Sequence, residues 1–284
     1  METTAWLARD LAEHDDWQWD YDEDPALFDA IRAELMTGRG VALLHGLPVD
    51  GLTDVQAERL AVDVARRVGE VVPQGANGEL VRHVRDIGVD LTTPTSKSYM
   101  HSGGLSFHAD PTDVVGLLCL RPAKSGGRSA VLNTVAVHDE ILRTHPDLAQ
   151  LLYQPWWHDA RDGTFQQRPL YTRDATGRLS SAWGLDYLRS AQGGAGVPAF
   201  TPAQSALVDL LEELTHDPRF AFTMDLRAGD LQFLNNHVTM HNRSAYVDHP
   251  EPERRRHLVR VWLNSPLPAT FSGESRAAGT VSQA

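Results

Sequence analysis

The sequence predicts a mainly β protein with flanking helices, built as an antiparallel barrel or jelly roll, and three observations lead there. From Gly103 onward, short apolar or alternating runs recur: LSFHAD, VVGLLCL, SAVLNTV, FAFTMDL, DLQFLNNHVTM and HLVRVWL. Gly, Pro, Asp and Asn punctuate these runs as turn signals. With 284 residues and 42% hydrophobic side chains, the chain can bury a full core. Many short strands of this kind are accommodated by closing a sheet or doubling it.

Taken in order, the first hundred residues read as α/β. PALFDAIRAELMTGRG is amphipathic and ends at glycine, as a helix does, and VALLHGLP is a short strand. Thr53 can cap a helix over DVQAERLAVDVARRVGEVV. Two helical segments interrupt the later β texture, VHDEILRTHPDLAQLLYQ and the Thr201-capped PAQSALVDLLEELTHD. Between them HDARDGTFQQRPLYTRDATGRLSSAWG is polar, glycine-rich and aromatic, which suits a lid-like insertion near 158–200 better than a core layer. The expected organisation is one domain over 1–267, with a small, polar, disordered tail over 268–284.

Composition removes several classes of function. The 26 Lys and Arg against 38 Asp and Glu leave a net charge of -12, which repels phosphate backbones and anionic membrane surfaces. Nucleic acid and membrane are therefore not expected as partners, whereas a small-molecule substrate is, and self-association stays open. The single cysteine, Cys119, excludes a disulfide framework and any multi-cysteine metal site. METTAWLARDLAEHDD places acids where a secretion signal carries positive charge, so a cytoplasmic location is expected.

The chemistry concentrates in LSFHADPTDVVGLLCL. On a strand, residues two apart share a face, so His108 and Asp110 would project together. An imidazole beside a carboxylate is two-thirds of the facial triad that holds non-haem Fe(II) with open coordination positions. The spacing alone is cheap, since it recurs at His14/Asp16 and His138/Glu140. Only His108/Asp110 combines strand texture with neighbouring glycines. DLQFLNNHVTMHNR offers His237 and His241 as a third ligand, and the absent Glu and helix formers separate it from a zincin helix. In ERRRHLVRVWL, Arg256 and Arg260 share a face in apolar company, and a buried Arg requires either an internal acid or an anionic ligand. A diacid held by a bidentate fork fits that need.

Together these residues resemble the taurine dioxygenase-like (TauD/TfdA) family of Fe(II)/2-oxoglutarate-dependent dioxygenases. The likeness runs from about Val41 to Leu263 and is densest in FHADPTDVVGLLCLRPAKSGG and GDLQFLNNHVTMHNRSAYVDHPEPERRRHLVRVWL. It implies a double-stranded β-helix (jelly roll), with Fe(II), 2-oxoglutarate and O2 as cofactors. It implies His108, Asp110 and His241 as metal ligands and leaves His237 without that role. Arg256 would grip the distal carboxylate of 2-oxoglutarate, with Arg254 and Arg255 as weaker alternatives. Ser129 would be the hydroxyl after the Gly-Gly turn, and Arg260 would lie beside cosubstrate or substrate. Tyr99, His101, His83 and Met100 would line the substrate mouth, joined by Arg168 and Tyr171 from the insertion. The implied reaction hydroxylates, desaturates or cyclises at an unactivated C–H of a small polar molecule, an amino-acid-derived or secondary-metabolite intermediate, and releases succinate and CO2. Asp110 favours hydroxylation, because related halogenases lack this carboxylate. The rivals are a cupin-like metal-dependent hydrolase or isomerase that does not use 2-oxoglutarate, and a non-catalytic carbohydrate-binding jelly roll.

Overall fold

The computed structural model describes residues 5–75, 77–88 and 100–265. Two sheets face each other. The larger, seven-stranded, runs in the order Gln18–Asp20, Val41–His45, Leu231–Asn235, Val114–Arg121, His257–Asn264, Glu70–Val72, and Val81–Val84 also pairs with His257–Asn264. The smaller, four-stranded, runs in the order Ala221–Met224, Ser129–Asn133, Thr239–Arg243, Leu105–His108. All these pairs are antiparallel except the first two strands.

Period-two alternation decides what lies on each face. On the large sheet Val114, Leu118, Leu120, Phe233, Val259 and Val261 pack outward against Ile31 and Leu35 of helix Pro25–Thr37 and Ala61 and Ala65 of helix Asp54–Arg66. Val115, Leu117, Cys119 and Leu234 point inward and meet Val131 and Met224 of the small sheet. The outer face of the small sheet, Leu132 and Met240, is covered by Val137, Ile141, Leu188, Leu207 and Leu211 from three further helices. Each fully buried Val, Leu, Ile, Met or Phe among them contributes roughly 1.5–3 kcal/mol. The result is two sheets between helical layers, mainly β with helices on both outsides, without a closed barrel.

Local signals explain the helix ends. Asp24 accepts the Ala26 N–H at 2.9 Å, and Thr53 and Thr201 each form a capping box, with Gln56 and Gln204. Helix Asp54–Arg66 is shorter than its sequence suggested. Glu70–Val72 leaves it to pair with Trp262–Asn264, and Gly69 allows this because a Cβ there would lie 2.7 Å from the Asn264 carbonyl oxygen. The 158–200 region is more ordered than a loop. Hairpins Pro155–Asp159/Phe165–Pro169 and Tyr171–Arg173/Leu179–Ser181 and helix Leu185–Ala191 carry the buried Trp156, Tyr171 and Leu188, with Leu170 and Trp183 buried between them. Tyr171 is core: it is 1% exposed and its hydroxyl donates to the Thr134 carbonyl. The expected tail and Tyr99 fall outside the described residues.

Candidate active site

The space between the sheets would be a continuous apolar core but for a cluster of polar residues that alternation points inward from both sides. His108 ends its strand directly opposite His241. Their rings stand 4.4 Å apart, tilted by 45°. Asp110 lies two residues past His108 but off the strand, so its convergence does not come from strand alternation. Asn236 places it instead: its Oδ1 accepts the Asp110 N–H at 3.1 Å and its Nδ2 donates to the Thr112 carbonyl at 3.0 Å. Thr112 in turn donates to the Leu263 carbonyl at 2.8 Å, anchoring the turn to the large sheet. With Asp110 so held, its Oδ2 is 3.7 Å from His241 Nε2.

The electrostatics suit a divalent cation. Burial would push the Asp110 carboxyl up, but the Arg260 guanidinium and the two imidazoles outweigh it and hold the group below the usual carboxylate range. Burial drives His241 down to about 3, with His108 adding to the effect against the pull of Asp110. His241 is therefore a neutral ring with a lone pair to give. His108 shares its Nδ1 with the Ser106 carbonyl at 2.9 Å, which leaves Nε2 to face the site. Imidazole nitrogens beside one carboxylate form a donor set that fits Fe(II).

Arg256 separates cleanly from its neighbours. It is 5% exposed, its guanidinium lies 5.1 Å from the Tyr246 ring centroid, and its NH1 is buried without a hydrogen-bond partner among the described residues. Gly127 makes room for it, since a Cβ there would come within 3.0 Å of Arg256 Nε. Arg254 and Arg255 are exposed, one paired with Glu251 and the other bonded to the His249 and Pro250 carbonyls. Ser129 is buried on the same inner face and donates to Gln232 Oε1 at 3.0 Å.

Two expectations are corrected. Arg260 was to hold an anionic ligand, but its NH1 donates to Asp110 Oδ1 at 2.8 Å and its Nε to Gln74 Oε1 at 2.9 Å. Its charge is thus engaged by an internal acid. His83 pairs with Val259, whose side chain faces the outer helices, so His83 points away from the face that carries Arg260. It bonds Glu58 of helix Asp54–Arg66 at 2.9 Å and lines, with Met100, a cavity of about 630 Å³ on that side. His237, left without a metal role by the resemblance, is engaged elsewhere. Its Nε2 meets Asp113 Oδ1 at 2.8 Å and its Nδ1 meets Ser180 Oγ at 2.8 Å. His101, by contrast, stays at the inner rim, where its carbonyl accepts from Arg243 NH2 at 2.7 Å.

A second histidine group lies outside this site. Among the described residues, Asp54, His83 and His257 have ligand atoms within mutual reach of a cation. Their hydrogen bonds already fix the protons. Arg121 NH2 can only donate, so His257 Nδ1 accepts at 3.0 Å, His257 Nε2 donates to His83 Nδ1 at 2.7 Å, and His83 Nε2 donates to Glu58. The chain is saturated from end to end, as a structural network is.

Sequence reading missed two contributors. Arg243 shares the inner face with His241 by strand alternation, a signal that was present. Asn236 acts through its side chain on a backbone 126 residues away, which no local pattern reveals.

Residues 5–262 match the family described as "Taurine catabolism dioxygenase TauD, TfdA family", and the chain belongs to it. It is a non-haem iron, 2-oxoglutarate-dependent dioxygenase that uses Fe(II), 2-oxoglutarate and O2, which removes the hydrolase, isomerase and carbohydrate-binding alternatives. FR-33289 synthase of Streptomyces rubellomurinus (strain ATCC 31215) is 31% identical over 242 residues, 81% of this chain and 70% of the relative. The fold is similar to that of the non-heme iron oxygenase OrfP in complex with Fe and alpha-ketoglutaric acid (TM-score 0.66, 17% identity, 86% of this chain and 81% of that one). It is also similar to that of asparagine oxygenase in complex with Fe(II), 2S,3S-3-hydroxyasparagine and succinate (TM-score 0.65, 18% identity, 87% and 93% covered). Among the described residues, no helix is long and apolar enough to cross a membrane.

Proposed function

We propose that this enzyme hydroxylates an unactivated C–H bond of a small, polar, amino-acid-like molecule, with release of succinate and CO2. The observation that carries the reading is the register that sets His108 against His241, with Asp110 clamped beside them and the buried Arg256 guanidinium, its NH1 unpartnered among the described residues, in the same inner space. In this reading the two facing sheets are the halves of a double-stranded β-helix, His108, Asp110 and His241 hold Fe(II), and Arg256 grips the distal carboxylate of 2-oxoglutarate with Ser129 behind it. Bound iron supplies the activation of O2; the chain supplies position, charge and a dry enclosure. Arg260 keeps the Asp110 carboxylate ionised and oriented. The insertion near 158–200 acts as the lid, and His101 and Arg168 are the described residues we assign to the substrate mouth. The amino-acid class is supported by the family together with the asparagine and arginine derivatives named for the structural neighbours.

The test is anaerobic loading with Fe(II) and 2-oxoglutarate, then O2 addition in the presence of free and derivatised amino acids. One or more should accelerate succinate release and appear as a product heavier by one oxygen. Acceleration only by molecules without an amino-acid backbone would refute the substrate class.

A further inference from the structure

The inner face holds a second arginine that the reaction as described does not use. Arg243 is 5% exposed, and its guanidinium sits 4.9 Å from the centroid of Tyr246, the ring that Arg256 approaches at 5.1 Å. Two buried cations therefore share one tyrosine. Neither forms an ion pair among the described residues, and Asp248, the acid beside them, accepts the Arg256 backbone N–H at 2.7 Å. Arg243 Nε and NH1 and Arg256 NH1 are all buried without hydrogen-bond partners among the described residues. An arrangement of like charges with free donors is costly unless an anion joins them.

The remaining nitrogen of Arg243 does something different. NH2 donates to the carbonyls of His101 and Gly103, the turn that leads into the His108 strand. The same turn is fastened again by the Tyr246 N–H, which donates to the Ser102 carbonyl at 3.0 Å. Thus one guanidinium has one edge on the approach to the metal face and the other edge beside the Arg256 pocket.

We propose that Arg243 is a second anchor for the distal carboxylate of 2-oxoglutarate, and that through its bonds to His101 and Gly103 it makes cosubstrate binding stiffen the turn ahead of His108. The inference rests on the assignment of Arg256 to that carboxylate. A carboxylate offers about four lone-pair sites, and a single fork from Arg256 fills two of them. Arg243 can take the others with its unpartnered Nε and NH1, without moving its NH2.

The experiment uses the full chain loaded with Mn(II) and compares wild type, Arg243→Ala, Arg243→Lys and Arg256→Ala. Calorimetric titration with 2-oxoglutarate is set beside titration with 2-oxovalerate, which has the same chelating end and no distal carboxylate. Backbone hydrogen exchange over 100–106 is followed with and without 2-oxoglutarate. Arg243→Ala should bind 2-oxoglutarate ~10- to 100-fold more weakly, the loss of one charge-assisted contact, and bind 2-oxovalerate within about threefold of wild type. 2-Oxoglutarate should slow exchange over 100–106 in the wild type and not in this variant. Arg243→Lys keeps the charge but cannot span both partners, so it should lose the exchange effect and part of the discrimination. Equal weakening toward both ligands would show a merely structural arginine and overturn the proposal. Loss in Arg256→Ala with wild-type behaviour in both Arg243 variants would overturn it while leaving the Arg256 assignment standing. Unchanged 2-oxoglutarate binding in Arg256→Ala would bring down that underlying assignment itself.

Discussion

Replacing Arg256 by alanine removes a guanidinium that the fold buries without giving it an ion-pair partner. In the free protein this group is 5% exposed, with NH1 unpartnered and burial pushing its ionisation down. Its loss therefore breaks no internal salt bridge, and the effect should fall on the ligand that would complete it. A bidentate, charge-assisted contact to a carboxylate is worth about 2–4 kcal/mol, or ~30- to 1,000-fold in affinity. The assay is the 2-oxoglutarate dependence of succinate release. It is paired with the ligand-induced rise in unfolding free energy of the Mn(II)-loaded protein, which reports affinity free of any change in basal stability. Arg254→Ala and Arg255→Ala serve as controls, because both residues are exposed and bonded elsewhere. Wild-type affinity in Arg256→Ala, or a comparable loss in Arg255→Ala, would refute the reasoning.

Further outcomes follow from the same geometry. His237→Ala should retain metal binding but lose about 1–3 kcal/mol of stability by urea titration, because the buried Asp113 Oδ1 loses its hydrogen-bond partner while Oδ2 keeps the Ser265 N–H. Asn236→Ala should fold yet bind metal at least ~10-fold more weakly in equilibrium dialysis, because the Asp110 N–H and the Thr112 carbonyl lose their shared clamp. Gly116→Ala should cost about 1–3 kcal/mol, since its Cβ would come within 2.7 Å of Val261 Cγ2 and 2.9 Å of Phe233 Cε1 in the sheet centre. Burial, with Arg85 and His83 adding to it, holds His257 at about 4, below its ordinary 6.5. The folded state thus binds fewer protons than the unfolded chain in that window, and stability present above about pH 6.5 falls as pH drops through about 4. The loss is about 3 kcal/mol, and His257→Gln should flatten the slope measured by urea titration across that range.

How much of this was legible follows from which residues act locally. The alternating runs marked the strands because each is buried on one face by its own period, and the caps at Thr53 and Thr201 were visible because their partners stand three residues on. The choice of His241 over His237 was not decided by spacing. It becomes clear once Thr239–Arg243 is seen as a strand facing His108, with His237 in the preceding turn against Asp113. His83 was misplaced because its face is set by register with Val259, 176 residues away, and an isolated four-residue strand does not say which side is inward. Arg260 looked available because Asp110 lies 150 positions earlier, and only the folded sheets bring the two to 2.8 Å. Asp110 itself was found for a reason that does not hold: strand alternation suggested its direction, whereas the Asn236 clamp supplies it.

The central claim is that His108, Asp110 and His241 form the metal centre and that the cosubstrate reaches from it to Arg256. The most direct measurement is a crystal structure of the chain grown anaerobically with Fe(II) and 2-oxoglutarate. The account predicts one iron bound by those three side chains at about 2.0–2.2 Å. It also predicts the distal carboxylate of 2-oxoglutarate against the Arg256 guanidinium. Iron held by Asp54, His83 and His257, or a cosubstrate carboxylate that leaves Arg256 untouched, would contradict it.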